Sequence, residues 1–193
     1  AAVGVTDDTI QRVEKLVDAG VDAIVIDTAH GHTKGVVTKL KEVKSKFPEL
    51  DVIVGNIATG AAAKYLVDAG ADGLALINTV LGMVINIDSM KPHLGGKTGG
   101  LSGPAIKPVA VRAIYKVHAA LPKVPILGMG GVASGRDALE LILAGASGVS
   151  VGTASFGNPS ALIDIQNELR DLLAARGFAT MQQAIGYAHR DEA

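Results

Sequence analysis

The hydrophobic pattern along the chain repeats one unit, a helical stretch followed by a short apolar run. Three such stretches echo one another, at residues 16–27, 66–77 and 141–152. In each, the helical pattern ends at Ala-Gly, which places Gly20, Gly70 and Gly145 just past a helix, where a left-handed backbone favours glycine. The apolar run that follows is typical of a strand. The pattern therefore predicts a parallel α/β fold built from βα units.

The same periodicity predicts the elements of the whole chain. Strands are expected at residues 1–5, 23–27, 51–55, 73–78, 124–128 and 148–152, and helices near 7–19, 33–47, 60–69, 105–120, 134–144, 159–175 and 179–188. Ser134 with Asp137 predicts a capping box at the start of the helix near 134–144. Because a closed TIM barrel has eight βα units, we expect a single TIM-barrel-derived domain over residues 1–193 with six of those units. It would form either an open six-stranded sheet or a barrel that self-association completes.

Residues 80–103 depart from this repeat. Residues 84–88 and 92–95 predict a small hairpin around Ser89-Met90, so that an excursion near residues 83–95 interrupts the βα pattern. A glycine-rich segment, residues 95–103, then leads into the next helix. Excursions of this kind at the carboxyl end of a strand usually serve a binding or catalytic site.

The composition argues against several classes of function. The net charge is −1 and the charged residues are interspersed, which disfavours a nucleic-acid partner. No segment is apolar enough for a membrane span and no signal-peptide pattern opens the chain, so we expect a cytoplasmic protein without a membrane partner. The chain has no cysteine, which excludes disulfides and a cysteine nucleophile. His30 and His32, with Asp27, are too weak a pattern to indicate a metal site.

Two glycine-rich strand ends are the strongest candidates for chemistry. Gly-Met-Gly-Gly-Val at 128–132 and Gly-Thr-Ala-Ser at 152–155 each follow an apolar strand and precede a helix. Glycine lets the backbone approach a ligand closely, and N–H groups at a helix start stabilise an anion. Two such loops on consecutive strands predict the phosphate site common in parallel α/β barrels. Tight turns that bind no ligand are the alternative.

The chain resembles two known families. Residues 73–193 resemble class 1 dihydroorotate dehydrogenases of the type that partners an iron–sulfur subunit. The shared motifs are Leu-Ile-Asn-Thr at 76–79, Gly-Gly-Leu-Ser-Gly-Pro-Ala-Ile-Lys-Pro-Val at 99–109, the glycine run at 128–132 and Val-Gly-Thr at 151–153. Residues 1–72 resemble inosine monophosphate dehydrogenase, on the motifs at 1–5, 25–32 and 54–59. The two resemblances meet near Ala71-Asp72, which implies an engineered chimera of two TIM barrels.

The dihydroorotate dehydrogenase resemblance implies an FMN site at the carboxyl ends of the strands. It implies that Asn78 and Thr79 hydrogen-bond the orotate ring, whereas turn chemistry after a buried strand is the alternative for both. The other resemblance implies that Asp27 contacts the ribose of a nicotinamide cofactor, and bonding to loop amides or capping of the next helix is the alternative. The implied FMN contacts are Ile77, Gly103, Gly130, Gly131, Gly152 and Thr153.

The resemblances also imply catalytic groups that this sequence lacks. The dihydroorotate dehydrogenase loop with its Cys or Ser base, the flavin-contacting lysine and the earlier asparagines fall in the part that resembles the other family. Inosine monophosphate dehydrogenase needs a cysteine, and the chain has none. We identify no catalytic residue from the sequence.

The expected function is therefore an engineered chimera that binds a small-molecule phosphate or a flavin at its last two strands, with little or no catalysis. A purely structural recombination product without a ligand is one alternative. An FMN-dependent oxidoreductase of the dihydroorotate type is the other. Because both outer sheet edges would be bare, a homo-oligomer is expected in addition.

Overall fold

The apolar runs of the sequence form a curled, parallel six-stranded sheet. The computed structural model describes residues 1–190. In chain order the strands are β1 (Ala2–Val3), β2 (Ala23–Asp27), β3 (Asp51–Gly55), β4 (Gly73–Leu76), β5 (Val80–Gly82), β6 (Ile85–Asn86), β7 (Lys91–Pro92), β8 (Gly99–Leu101), β9 (Ile126–Met129) and β10 (Gly148–Ser150). The sheet has the order β1-β2-β3-β4-β9-β10, and every neighbouring pair is parallel. This confirms the α/β prediction of part of a TIM barrel.

Helices connect consecutive strands of this sheet, and three more follow its last strand. They are α1 (Thr9–Asp18), α2 (Lys34–Lys46), α3 (Gly60–Asp68), α4 (Lys107–Ala120), α5 (Gly135–Ala144), α6 (Ala154–Gly157), α7 (Ala161–Ala175) and α8 (Met181–Ala184), with 3₁₀ helices at Pro104–Ile106 and Tyr187–His189. α5 packs against both α4 and α7. The helix predicted near 179–188 is two short pieces, and the short α6 was not predicted.

Several predicted bounds are wrong by a few residues. β2 and β3 have the predicted bounds, but the strands predicted at 1–5, 73–78 and 148–152 are shorter in the structure. The strand predicted at 124–128 begins later, at Ile126, because Pro125 has no N–H to donate to a ladder. The carbonyl of Pro125 still accepts from the Leu74 amide at 3.0 Å.

The start of α5 follows the predicted capping pattern. The Ser134 side chain accepts a hydrogen bond from the Asp137 amide at 3.2 Å. The Asp137 carboxylate accepts from the Ser134 hydroxyl at 2.8 Å and from the Ala133 amide at 3.1 Å. These bonds satisfy N–H groups that a helix start leaves without partners, and they fix the direction in which the chain leaves the loop after β9.

The two faces of the sheet differ in burial. In β2, β3 and β9 the side chains on the outer face, against the helices, are buried, whereas those on the inner, concave face are only partly buried. Strands buried on both faces would show near-continuous burial rather than this alternation. The outer set includes Ile24, Ile26, Val52, Val54 and Leu74, and the inner set includes Val25, Ile53, Leu127, Met129 and Ser150.

The excursion predicted near residues 83–95 forms two small antiparallel ribbons. β6 pairs with β7, which confirms the predicted hairpin, and β5 pairs with β8 across it. Its large apolar side chains are exposed, and such a surface is typical of contact with another macromolecule. The homo-oligomer stays a prediction. The exposed residues are Leu81, Met83, Val84, Ile85, Ile87, Met90, Leu94 and Leu101.

Candidate functional site

A cavity of about 510 Å³ opens where the parallel strands end. Its walls are side chains of β1, β2, β4, β9 and β10 and the residues that directly follow β3, β4, β9 and β10, together with Ser102, Gly103, Pro104 and Ile106 ahead of α4. Barrels and open α/β sheets bind their ligands at this end of the strands. The cavity brings together all eight residues predicted for FMN and orotate, and their roles toward a ligand stay predictions. They are Ile77, Asn78, Thr79, Gly103, Gly130, Gly131, Gly152 and Thr153.

Hydrogen bonds hold these loops against one another. The Ile77 amide donates to the Met129 carbonyl at 3.0 Å, which extends the β4–β9 pairing past the end of β4. The Thr153 hydroxyl donates to the Ser102 hydroxyl at 2.8 Å. This second bond ties the glycine-rich segment before α4 to the loop after β10, so the two loops on this side of the cavity are fixed together.

The glycines of the site are required for different reasons. A Cβ on Gly131 would lie 2.7 Å from the Lys107 Cβ and 2.8 Å from the Gly103 carbonyl oxygen, and its φ is +78°. Gly131 is therefore needed for packing against the start of α4. Gly152 has an ordinary φ, and a Cβ there would meet no heavy atom within 4 Å. The space in front of Gly152 is open cavity, which is what a ligand approaching the backbone would use.

The helix start after β9 offers fewer free amides than the sequence pattern predicted, because two amides of its first turn already have acceptors. The Gly135 amide donates to the Glu168 carboxylate at 2.6 Å, and the Asp137 amide donates to Ser134. An anion at the first turn of α5 would compete with these partners. Free donors lie instead in the loops themselves, since the N–H groups of Gly130, Gly131, Gly152 and Thr153 have no acceptor within residues 1–190.

Asn78 and Thr79 line the cavity immediately after β4. The Asn78 Oδ1 accepts from the Thr79 amide at 2.8 Å, and its Nδ2 lies 3.5 Å from the Ala29 carbonyl. The turn interaction, which was the alternative for these residues, is therefore present. Gly100 makes room for Thr79, because a Cβ at Gly100 would clash with the Thr79 hydroxyl.

Asp27 and Asn56 form the opposite wall of the cavity, at the ends of β2 and β3. The Asn56 Nδ2 donates to the Asp27 Oδ1 at 3.1 Å and to the Thr28 carbonyl at 3.2 Å. The Asn56 Oδ1 is buried and has no donor within residues 1–190. Such an acceptor costs about 1–3 kcal/mol when it lacks a partner. A bound molecule with an N–H group would recover that free energy.

An ion-pair cluster lies next to Gly131 in the loop after β9. Lys107 Nζ lies 2.6 Å from the Asp137 carboxylate and 2.7 Å from that of Glu140. These two carboxylates raise the pKa of Lys107. Burial works to raise the pKa of Asp137, but the hydrogen bonds from Lys107, Ser134 and the Ala133 amide outweigh it, so that pKa is lowered. The cluster is charged at neutral pH and fixes α4 against α5 next to Gly131.

The cavity lining itself carries little charge. Within the described residues, Asp27 is the one ionisable side chain of the lining, and no Lys, Arg or His contributes to it. A phosphate bound here would therefore rely on backbone N–H groups. His32 stands outside the lining and packs edge-on against Tyr65, with ring centroids 5.1 Å apart.

Sequence reasoning missed two polar contributions to this site. Asn56 was seen only as part of a motif, and Ser102 only as part of a glycine-rich run. Asn56 directly follows the apolar strand β3, and Ser102 is hydrogen-bonded to Thr153 in the loop after β10. Because the carboxyl ends of parallel strands share one edge of the sheet, polar residues at every predicted strand end are candidate site residues, as the glycines are.

Comparison with known proteins gives one consistent result. The family model described as dihydroorotate dehydrogenase matches residues 28–173. The chain belongs to the dihydroorotate dehydrogenase family. Among its relatives, the catalytic subunit of dihydroorotate dehydrogenase B (NAD(+)) from Oceanobacillus iheyensis is 48% identical over 149 residues, covering 77% of this chain and 48% of the relative.

Two further curated relatives carry the same description. The protein from Bacillus pumilus is 48% identical over 156 residues, covering 80% of this chain and 49% of the relative. That from Alkaliphilus metalliredigens is 44% identical over 194 aligned positions, covering 89% of this chain and 64% of the relative. The chain thus spans about half the length of the first two relatives.

The prediction of an engineered chimera with little or no catalysis is wrong. The dihydroorotate dehydrogenase match runs through residues 71 and 72 without a break, and the relatives cover most of the chain at similar identity. The comparisons give no support to an inosine monophosphate dehydrogenase segment. They equally overturn a purely structural recombination product and favour the oxidoreductase alternative. The motifs at residues 1–72 misled because short strand-end patterns recur among βα barrels.

No helix within residues 1–190 combines the length and the apolar character that crossing a membrane requires.

Proposed function

We propose that the chain carries the flavin and substrate site of a dihydroorotate dehydrogenase, which oxidises dihydroorotate to orotate with FMN as the electron acceptor. The observation that carries this proposal is the single cavity into which all eight family-implied residues converge. The family membership and the printed names of the relatives support the reaction class. The cytoplasmic location predicted from the sequence is part of the same proposal.

The residues present fit the phosphate end of FMN. Gly152 faces open space, and the loops after β9 and β10 hold four backbone N–H groups that have no acceptor in the described part of the chain. Hydrogen bonds from N–H groups to a charged acceptor contribute about 1.5–3 kcal/mol each. Gly130, Gly131, Gly152 and Thr153 would hold the phosphate, and Ile77 and Gly103 would border the rest of the cofactor.

The substrate would lie on the other side of the cavity, against the segment after β4. Asn78 offers an amide and Thr79 a hydroxyl, and together these can donate to ring carbonyls and accept from ring N–H groups. The Asn78 Oδ1 now accepts from the Thr79 amide, while its Nδ2 has only a long contact to a carbonyl. That NH₂ group is the part of Asn78 best able to bind a ring oxygen.

The chain's own residues supply orientation and polarity for the reaction. When bound, FMN supplies a two-electron acceptor. The apolar side chains of Ile77 and Met129 exclude water from one side of the cavity, and Asn78 fixes the substrate ring in its plane. Holding the reacting groups in one orientation removes much of the entropic barrier to their reaction.

Reconstitution of the chain with FMN followed by anaerobic titration with dihydroorotate tests the proposal. We expect loss of the oxidised-flavin absorbance and formation of one orotate per flavin reduced. Dihydrouracil, which lacks the carboxylate, serves as the control substrate and should reduce the flavin far more slowly. A chain that takes up FMN but whose flavin stays oxidised with dihydroorotate would contradict the proposal, as would a chain that binds neither compound.

A further inference from the structure

We propose that residues 186–190 form a pH-sensitive strap, which packs on α4 and α5 while His118 is neutral and is released when His118 takes up a proton. This inference goes beyond the proposed function and does not depend on it. The strap contains the 3₁₀ helix Tyr187–His189, and it follows α8 through Gly186, whose backbone is left-handed with a φ of +66°. Its release would make the packing of this part of the chain depend on pH.

The His118 ring is enclosed between two backbone segments. His118 lies near the end of α4, and a Cβ at Gly145 or at Gly186 would clash with its ring. Gly145 follows the last residue of α5, and Gly186 is the first residue of the strap. Both backbones can come this close because glycine has no Cβ. The strap therefore contacts α4 through the His118 ring.

This position suits a neutral imidazole better than an imidazolium. The Nδ1 atom of His118 is buried and has no hydrogen-bond partner within residues 1–190. One nitrogen of a neutral ring carries no proton, whereas both nitrogens of an imidazolium are donors. A charged ring would hold a buried N–H without an acceptor and would also lose hydration. Burial accordingly lowers the pKa of His118, and the neighbouring His189 lowers it further.

The strap places a second histidine beside the first. The ring centroids of His118 and His189 are 4.9 Å apart, and the His189 ring stacks on Tyr115 with centroids 3.8 Å apart. The His189 Nε2 lies 3.0 Å from the Ala144 carbonyl, and it carries a proton there because a carbonyl can only accept. The titratable groups that face His118 are thus Tyr115 from α4 and His189 from the strap, and the last turn of α5 adds no ionisable side chain.

No negative charge offsets a proton on this pair. Within residues 1–190, no carboxylate forms an ion pair with His118 or His189. Arg190, the next residue along the strap, adds a positive group that lies over the Tyr187 ring, 4.6 Å from its centroid. The basic groups of the strap therefore oppose a proton on His118, and moving the strap away removes that opposition.

The strap is held less firmly than the helix that precedes it. Ala184 of α8 is fully buried in a cluster of apolar side chains from α5 and α7. In the described part of the chain, two hydrogen bonds join the strap to α5, from the Gly186 amide to the Ile142 carbonyl at 3.0 Å and from His189 to the last residue of α5. A segment with few such contacts can open while the rest of the fold stays intact. The strap can therefore be released without unfolding α8 or the sheet.

Hydrogen exchange measured by NMR between pH 7 and pH 5 tests the proposal on the whole chain. The reporter is the Gly186 amide, whose hydrogen bond to α5 is lost on release. The reference is the Leu74 amide, which donates to the Pro125 carbonyl in the sheet. Protection factors are compared, because they correct for the pH dependence of exchange in an unfolded peptide.

Two variants remove the titrating group, and a third is the matched control. His118→Phe keeps an aromatic ring between the two glycines, and His118→Gln is the second variant in case the first does not fold. The control is His93→Gln, which removes an exposed histidine just after β7. In addition, the ring signals of His118 are titrated in the wild type, which needs no variant.

We expect the Gly186 protection factor of the wild type to fall by up to about 25-fold between pH 7 and pH 5, since the released ring takes up a proton below about pH 6.5 and the docked ring resists it. Docking is thus complete above that pH and is lost progressively as the pH falls toward the lowered pKa of the docked ring. Gly186 should be less protected than Leu74 at every pH, because the strap opens without global unfolding. His118→Phe should abolish the fall, and His93→Gln should retain it.

Four results would overturn the proposal. The first is a Gly186 protection factor that changes by less than about twofold over this pH range. The second is equal protection of Gly186 and Leu74, which would show that the strap is exposed by global unfolding alone. The third is a fall of wild-type size in a folded His118 variant, which would assign the proton to another group. The fourth is a titration midpoint of His118 at or above about 6.5 in the wild type.

Discussion

Replacing Gly152 by alanine separates ligand binding from folding at the glycine-lined end of the cavity. Gly152 has an ordinary φ, and a Cβ at this position would meet no heavy atom within 4 Å. Alanine therefore fits without strain, and by restricting the unfolded chain it should stabilise the fold by up to about 1 kcal/mol. The added methyl group stands where a phosphate would have to approach the loop.

The expected loss of affinity follows from the backbone donors. A methyl group that displaces the phosphate weakens its hydrogen bonds to the N–H groups of Gly152 and Thr153, because hydrogen bonds weaken steeply with geometry. At about 1.5–3 kcal/mol for each charged hydrogen bond, losing one to two of them lowers FMN affinity by roughly 10- to 10,000-fold.

The assay is a titration of FMN with the chain, followed by quenching of flavin fluorescence, alongside urea unfolding of the same sample. Gly157→Ala is the matched control, since a Cβ there also meets no heavy atom within 4 Å and Gly157 lies outside the cavity lining. Wild-type FMN affinity in a folded Gly152→Ala variant would refute the placement of the phosphate. Equal losses in both variants would show that the effect is not specific to the cavity.

Three further outcomes follow from the same structure. Asn78→Ala should weaken orotate binding, measured by calorimetry, by about 1–3 kcal/mol and leave FMN affinity unchanged. An equal loss of FMN affinity would contradict the assignment of the two ligands to different sides of the cavity. Asp137→Asn should lower the free energy of urea unfolding by about 1–3 kcal/mol at pH 7. Burial would raise the pKa of Asp137 in the folded chain, but its hydrogen bonds keep that pKa low. The loss of stability should therefore persist at pH values above the unfolded-chain pKa of about 3.9 and shrink as the pH falls below it. A loss that does not depend on pH would contradict this prediction. Burial and the neighbouring His189 lower the pKa of His118, so unfolding takes up a proton below about pH 6.5 and the wild type should lose stability there. In thermal melts, the Tm of His118→Phe should fall less between pH 7 and pH 5 than the Tm of the wild type. An equal fall in both proteins would contradict this prediction.

Local sequence pattern was sufficient for the sheet and for much of the site. β2 and β3 have the predicted bounds, because each is an apolar run between a glycine-marked helix end and a polar strand end. The eight predicted site residues meet in one cavity because the carboxyl ends of parallel strands share an edge, whatever the distance along the chain.

What could not be predicted depends on contacts between distant segments. Glu168 on α7 accepts a hydrogen bond from the Gly135 amide at the start of α5, so this helix start has fewer free amides than the glycine pattern predicted. Gly131 is glycine because Lys107 and Gly103 crowd it. Neither partner is signalled by the residues around the loop. The family assignment failed for residues 1–72 for a related reason, since strand-end motifs report the βα architecture more than the ancestry of one barrel.

The two ends of the cavity use different chemistry, and this makes their roles separable. Backbone N–H groups after β9 and β10 favour an anion and do not depend on pH, whereas the wall formed by Asp27 and Asn56 presents a carboxylate and an unfilled acceptor. A general phosphate site would be sensitive to Gly152→Ala alone. A dehydrogenase site must respond to changes at both ends, with affinity for FMN lost at one and affinity for orotate lost at the other. The pattern of effects across the two ends therefore tells more about function than any single variant.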